Sequence, residues 1–231
     1  MKIDRRKSYY LVLDTETANG YIDENNKLCL DDSLFYDCGF AVIDKKGNVY
    51  ETHSYVNYDI FCGMADIMKS AYYKEKIPKY YDDLKRGDRK WSNTIGIRKA
   101  VKEVCNKYNV KSVICHNARF DNNTLNKTIR YTTNSKIRYF LPYGVEIWDS
   151  LKMSRDVILK MPSYKMYADK HNLKTATGKL SATAENLYRF ITKNPDFIES
   201  HTGLEDVLIE KEIFAYCMKQ HKKMRKKLFE N

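Results

Sequence analysis

The sequence predicts an α/β domain: a mixed sheet of about five strands, flanked by helices and carrying a helical insertion. Three short apolar runs near the N-terminus, separated by turn signals, are typical of an antiparallel meander. The later part of the chain alternates helical periodicity with short buried strands, as in α/β domains. With 231 residues the chain is long enough for one sizeable core, so we expect a single domain over 1–231.

The meander is marked by apolar runs and by what interrupts them. Residues 8–13 are rich in aromatic and branched side chains and end in acids, which predicts a buried strand. Residues 37–43 form a second run that reaches the turn signal at 44–48, and 49–56 alternates as the returning strand. We therefore expect three antiparallel neighbours.

The following elements alternate. Apolar residues at helical spacing predict a helix over 95–108, and the apolar run 112–115 then predicts a fourth strand. A fifth strand is expected at 145–149, and further helices at 122–131, 151–159, 184–191 and 203–223.

The segment 59–93 has no strand pattern and is rich in Tyr and Lys, so we expect a helical insertion over one face of the sheet. Aromatic side chains interleaved with lysines can stack bases and hold phosphates. Tyrosines at this spacing also pack a helical hairpin onto a core. The residues open to both interpretations are Tyr72, Tyr73, Tyr80 and Tyr81.

Composition bounds the partners. Lys and Arg outnumber Asp and Glu by 41 to 30, a net charge of +11 that favours a polyanion such as nucleic acid. Part of the excess lies at 219–227, which could equally be a solvated helix end. No apolar run is long enough for a membrane span and no signal peptide is evident, so we expect a cytoplasmic protein without a membrane role. Six cysteines without paired spacing predict free thiols.

Asp14 and Glu16 stand two residues apart where the first strand ends. On an extended strand both side chains leave the same face. Two carboxylates at the end of a buried strand are costly unless a cation or a proton compensates, and hard divalent cations prefer such oxygen ligands. Asp-x-Glu also occurs by chance on exposed strand ends, so the pair alone decides little.

Two further acids follow secondary-structure boundaries. Asp121 comes after the 112–115 strand and a polar turn, at the edge where open α/β sheets bind ligands, although it could instead be a helix N-cap. Thr202 and Glu205 have capping-box spacing, so we expect a helix from Gly203 with Glu205 occupied by the cap. That cap would bring His201 and Asp206 together on one side of the helix N-terminus, although an ordinary surface histidine stays possible.

Together these segments resemble the three exonuclease motifs of the DEDDh family, in the family's order across roughly residues 8–220. The nearest likeness is to the proofreading subunit of bacterial replicative DNA polymerases and its stand-alone phage and bacterial relatives. The resemblance implies a ribonuclease-H-like fold and a 3'-to-5' exonuclease. It rests on Leu13-Asp14-Thr15-Glu16-Thr17, His116-Asn117-Ala118-Arg119-Phe120-Asp121 and His201-Thr202-Gly203-Leu204-Glu205-Asp206.

The resemblance also implies roles. Asp14 would bridge two Mg²⁺ or Mn²⁺ ions, Glu16 and Asp206 would complete the shell of the first, and Asp121 would support the second. His201 would be the general base that activates water. The product would be a nucleoside 5'-monophosphate.

By the same resemblance, the backbone around Thr17 and Ala18 would grip the terminal nucleotide, and His116 and Asn117 would shape the second motif beside the substrate. The segments 59–93 and 131–143 look longer than the core fold requires and leave the substrate open. DNA 3' ends are the leading expectation. The alternatives are an RNA 3'-end-trimming enzyme and a non-catalytic nucleic-acid-binding module associated with a polymerase partner.

Overall fold

The chain folds around a six-stranded mixed sheet of order β6-β5-β4-β1-β7-β8. The structure is a computed structural model that describes residues 3–22, 24, 28–71 and 74–230. The sheet strands are β1 (Tyr9–Ala18), β4 (Leu34–Asp44), β5 (Val49–Asn57), β6 (Lys90–Ser92), β7 (Ser112–Cys115) and β8 (Glu146–Asp149), and a separate ribbon pairs β2 (Tyr21–Ile22) with β3 (Leu28–Cys29). The helices are α1 (Tyr58–Phe61), α2 (Ala65–Met68), α3 (Ile77–Arg86), α4 (Thr94–Tyr108), α5 (Ala118–Thr132), α6 (Ser150–Asp156), α7 (Pro162–Lys170), α8 (Ala184–Thr192) and α9 (Gly203–Lys219).

This topology confirms the predicted α/β class and the ribonuclease-H-like arrangement. Strands β1, β4 and β5 form the antiparallel meander, and β7 and β8 add in parallel beside β1. The expected count of five strands is wrong by one. The sixth strand, β6, lies inside the 59–93 segment that was expected to be helical, and pairs in parallel with β5. Three residues are too few to show a period of two in the sequence.

Two apolar layers enclose the sheet. On one face, Val12 and Ala41 pack against α9 through residues such as Val207 and Ile213. The opposite face is covered by α4 and α5. Because side chains alternate along a strand, the α9 face also carries Asp14 and Glu16. Helix α9 therefore lies over the face from which both acids project.

The insertion is helical before β6. Helices α1 to α3 and a 3₁₀ turn at Lys74–Lys76 cover the end of the sheet beyond β4 and β5. Tyr80 is fully buried there and packs in the core, as the second interpretation expects, whereas Tyr81 is 55% exposed. Tyr72 and Tyr73 lie outside the described residues. The single-domain organisation of 1–231 stays a prediction.

The basic C-terminal segment packs against β8. Helix α9 ends at Lys219, earlier than the predicted 223, and the chain then returns to the sheet edge. The Leu228 N–H donates to the Ile147 carbonyl and the Leu228 side chain is buried. Arg225 pairs with Asp156 at 2.9 Å. The tail is therefore a docked segment and not a solvated helix end.

Two smaller predictions can be compared with the structure. The six cysteines are all free thiols. No helix in the described part of the chain combines the length and apolarity needed to cross a membrane.

Candidate active site

The second half of β1 presents two acids to α9, because the strand continues to Ala18 and does not end at residue 13 as expected. Asp14 pairs in register with Gly39 of β4, and Glu16 pairs with Asp37. A Cβ added to Gly39 would lie 2.2 Å from the backbone nitrogen of Leu204, a distance no side chain tolerates. Helix α9 thus begins in backbone contact with the residue opposite Asp14. This close approach requires glycine and brings the first turn of α9 over the strand end.

Three carboxylates meet at this point. Ligand oxygens of Asp14, Glu16 and Asp206 all lie within 4.8 Å of one another. Burial raises the pKa of each, and the neighbouring carboxylates raise it further; that of Asp206 reaches about 8. The fold therefore brings together the acids of β1 and the acid of α9 that the sequence singled out.

Asp121 stands beside this trio and outside the 4.8 Å group. It lies in the first turn of α5, 2% exposed, and the Thr15 hydroxyl donates to its Oδ1 at 2.9 Å. Burial raises its pKa to about 7, although the Thr15 hydrogen bond opposes the shift. The N-cap of α5 is Asn117, so the alternative interpretation of Asp121 as an N-cap is wrong.

His201 lies on the turn that enters α9. Its backbone is left-handed (φ 53°), and ligand atoms of Glu199, His201 and Asp206 lie within 4.8 Å of one another. The Nδ1 atom of His201 is 3.9 Å from Glu199 Oε2. Burial lowers the pKa of His201 and raises that of Glu199 to about 7. A largely neutral imidazole, able to accept a proton, therefore stands against the carboxylates.

The predicted capping box is wrong, although α9 does begin at Gly203. The Thr202 side chain makes no cap hydrogen bond, and the Gly203 N–H donates to Asp37 Oδ2 at 2.9 Å. The Glu205 carboxylate accepts from Arg89 at 2.8 Å and from Lys79 at 3.0 Å, and it contacts Thr202 through the side chain of that residue. Asp37 therefore caps the helix in place of Thr202, and Arg89 and Lys79 of the insertion bind the Glu205 carboxylate.

Arg89 joins the insertion to this helix terminus. Its side chain is 2% exposed and lies 3.0 Å from both Asp37 and Asp83, while its guanidinium stacks 4.6 Å from the Tyr80 ring centroid. The Tyr80 hydroxyl donates to Asp37 at 2.7 Å. Asp37 is completely buried, so the cation and these donors are what make its charge tolerable there.

Glu210, like Glu199, is an acid beside the site that the motifs did not identify. It stands one turn after Asp206 on α9, is 4% exposed, and accepts a hydrogen bond from the His116 backbone N–H. Burial raises its pKa, and its charge raises that of Asp14. The four-residue spacing from Asp206, which places both on one helical face, was the sequence signal that could have identified it.

The remaining predicted residues line the same edge. Thr17 and Ala18 are buried at the end of β1, after an irregularity in its pairing with β4. His116 is held on both ring nitrogens: Nε2 donates to the Ala182 carbonyl at 2.8 Å, and Nδ1 lies 2.9 Å from the Ser150 hydroxyl. The Asn117 N–H donates to Asp149. Substrate contact by Thr17, Ala18, His116 and Asn117 stays a prediction.

The donor set fits a hard divalent cation. Among the residues that the structure describes, Asp206 Oδ1 and Glu210 Oε2 are buried without a hydrogen-bond partner. Buried carboxylate oxygens are costly when neither protonated nor paired, and a divalent cation would supply the missing positive charge. The site combines oxygen ligands with an adjacent imidazole, which is a chemistry suited to metal-assisted hydrolysis.

The fold is similar to that of Escherichia coli exonuclease I. Superposition on the structure of that enzyme with a 5cy-dT13 oligonucleotide gives a TM-score of 0.52 and 16% identity, covering 91% of this chain and 42% of that one. A zinc-bound E. coli ExoI–ssDNA complex gives 0.47 with 16% identity (93% and 41% covered), and a product-bound exonuclease I gives 0.46 with 14% (90% and 42%). The chain thus spans less than half of each. No family model and no curated protein sequence matches it. At this identity the likeness establishes the fold.

Proposed function

We propose that this chain is a metal-dependent 3'-to-5' exonuclease that releases nucleoside 5'-monophosphates from single-stranded or frayed DNA ends. The observation that carries the proposal is the convergence of Asp14, Glu16 and Asp206 within 4.8 Å, beside His201. The fold adds support, because a structure similar to it is that of exonuclease I with an oligonucleotide. The resemblance of the sequence motifs to the DEDDh family independently implies the same activity.

Asp14, Glu16 and Asp206 would hold one divalent ion, and Asp14 with Asp121 would hold a second. Two such ions stabilise the attacking and leaving oxygens of a phosphodiester displacement. The position of Asp121 outside the closest group suits the indirect, partly water-mediated contact that the family resemblance implies for it. Glu210 is close enough to raise the pKa of Asp14 and would add a carboxylate to the same group.

His201 takes the proton of the attacking water in this proposal. Burial lowers its pKa, which keeps the imidazole neutral and able to accept a proton near pH 7. Glu199, whose Oε2 lies 3.9 Å from Nδ1, would stabilise the imidazolium that forms. The left-handed backbone at His201 directs the chain into α9, so that the base lies just before the helix and Asp206 in its first turn.

The nucleic acid is proposed from charge as well as from fold. A net charge of +11 favours a polyanionic substrate. We propose DNA as the substrate because the exonuclease I structure of similar fold is a complex with a dT oligonucleotide. The likeness to the polymerase proofreading subunit and a polymerase partner stay predictions, and co-purification with a replicative polymerase would test them.

End-labelled oligonucleotides test the proposal. Matched DNA and RNA strands labelled at the 5' or the 3' end are incubated with Mg²⁺, and products are separated over time. We expect the 3' label to leave first as a mononucleotide and DNA to be the better substrate. Faster RNA cleavage would identify an exoribonuclease instead. Salt-sensitive binding without turnover in Mg²⁺ or Mn²⁺ would identify a binding module and contradict the proposal.

A further inference from the structure

An exposed aromatic patch stands at the outer edge of the sheet. It consists of Tyr58, Phe61, Tyr81 and Trp91, of which Phe61 is buried at the centre. Trp91 lies 5.5 Å from Phe61 and 6.0 Å from Tyr58 between ring centroids, and Tyr81 lies 5.5 Å from Phe61. Three of the rings remain 42–55% exposed although they surround an apolar centre. Clustered exposed aromatics of this kind mark an interaction surface.

Strand register places the patch in line with the active site. Glu16 pairs with Asp37, Asp37 with Val56, and Val56 with Trp91. Directly paired residues project to the same face, so Trp91 shares its face with Glu16 at the same height. Three strand spacings separate them by about 14 Å. A stacked strand rises about 3.4 Å per nucleotide. The direct line passes through buried Asp37 and Val56, so a bound strand needs at least about four nucleotides to reach from the acids to the patch.

Exposed positive charge stands beside the patch on α3. Lys85 lies one turn after Tyr81 and is exposed, whereas Lys90, which precedes Trp91 on β6, leaves the opposite face of that strand. Within residues 3–22, 24, 28–71 and 74–230 Lys85 forms no ion pair, in contrast to Arg86, which pairs with Asp83 and Asp88. Lysines next to exposed rings are the combination that binds single strands: rings stack bases and ammonium groups meet phosphates.

We infer that the aromatic patch is a stacking surface for the single strand upstream of the terminal nucleotide. The inference rests on the proposed function, because it assigns a path to the same substrate. A single strand is favoured over a protein partner because exposed Lys85 stands beside the rings and the chain as a whole is basic. The insertion thereby acquires a role in gripping substrates longer than a few nucleotides.

The test compares binding of long and short oligothymidylates. Fluorescence anisotropy is measured without divalent ions, where no hydrolysis is expected, on the dinucleotide and on a strand of about twelve nucleotides. We expect Trp91→Ala and Tyr81→Ala each to weaken binding of the long strand by about 5- to 150-fold and to leave the dinucleotide unaffected. Tyr143→Ala is the matched control, since Tyr143 is a fully exposed aromatic outside the patch.

A second readout reports stacking directly. The chain has two tryptophans, so Trp148→Phe leaves Trp91 as the sole indole. We expect the long strand to quench its fluorescence and the dinucleotide not to. Trp91→Phe should keep most of the affinity, because a ring is retained. Unchanged long-strand binding by folded Trp91→Ala and Tyr81→Ala, or absence of quenching, overturns the inference.

The two proposals fail in different ways. Length-dependent binding that Trp91→Ala abolishes, without nucleotide release in Mg²⁺, leaves the stacking surface standing and contradicts the exonuclease. Nucleotide release together with normal binding by both patch variants leaves the exonuclease standing and contradicts the surface. A Trp91→Ala protein that does not fold is replaced by Tyr81→Ala, whose ring is largely in solvent.

Discussion

Replacing Arg89 with methionine should destabilise the protein by about 3–5 kcal/mol, the usual cost of removing one partner from a buried ion pair. The penalty arises mainly at Asp37, which is completely buried and would keep the Tyr80 hydroxyl and the Gly203 N–H as donors. Asp83 would lose less, because Lys79 still pairs with it. Burial already raises the pKa of Asp37 and Arg89 opposes that shift.

Urea titrations of Arg89→Met and Arg86→Met measure this difference. Arg86 is 58% exposed, so solvent screens its ion pairs and its loss should cost far less than the loss of Arg89. Without Arg89 the pKa of Asp37 rises further, and the penalty should shrink as pH falls and Asp37 takes a proton. Adding Asp37→Asn should recover part of the loss. Equal free energies of unfolding for the two arginine variants would refute the buried-pair account.

Four further outcomes follow from the site and the tail. Metal-free protein should lose stability as pH rises from 3.8 to about 8. Burial raises the pKa of Asp206 to about 8, so over this range the folded protein holds a proton that the unfolded chain has released. The midpoint of urea unfolding should therefore fall with pH, and Mg²⁺ should flatten this profile. His201→Ala should lower kcat about 10²- to 10⁴-fold while calorimetry shows Mn²⁺ binding retained. Glu210→Gln should raise the metal-free melting temperature, since it removes a buried carboxyl, and should weaken Mg²⁺ binding; an unchanged affinity would place Glu210 outside the site. Leu228→Ala should cost about 2–5 kcal/mol in urea titrations, whereas a free tail would tolerate it.

Much of the site could be predicted because its geometry is local. The alternation of side chains along a strand places Asp14 and Glu16 on one face whatever the rest of the fold does. The start of α9 at Gly203 places His201 just before the helix and Asp206 in its first turn. Both arrangements involve residues only a few positions apart, so local sequence patterns are enough to predict them.

What could not be predicted depends on partners far along the chain. Asp37 lies 52 residues from Arg89 and 166 from Gly203, and no local pattern marks these pairs. The capping box failed for the same reason: buried Arg89 competes for Glu205 more strongly than a backbone N–H does. Strand β6 was not predicted because its three residues are too few to show the alternating pattern of a strand.

The central claim is that Asp14 holds the metal ions that make this chain an exonuclease. The most direct measurement is the rate of nucleoside 5'-monophosphate release from a 3'-labelled single strand across a Mg²⁺ titration, for the unaltered protein and for Asp14→Ala. We predict metal-dependent release by the unaltered protein and none by Asp14→Ala, with circular dichroism showing both folded. Undiminished Mg²⁺-dependent release by pure Asp14→Ala would contradict the claim.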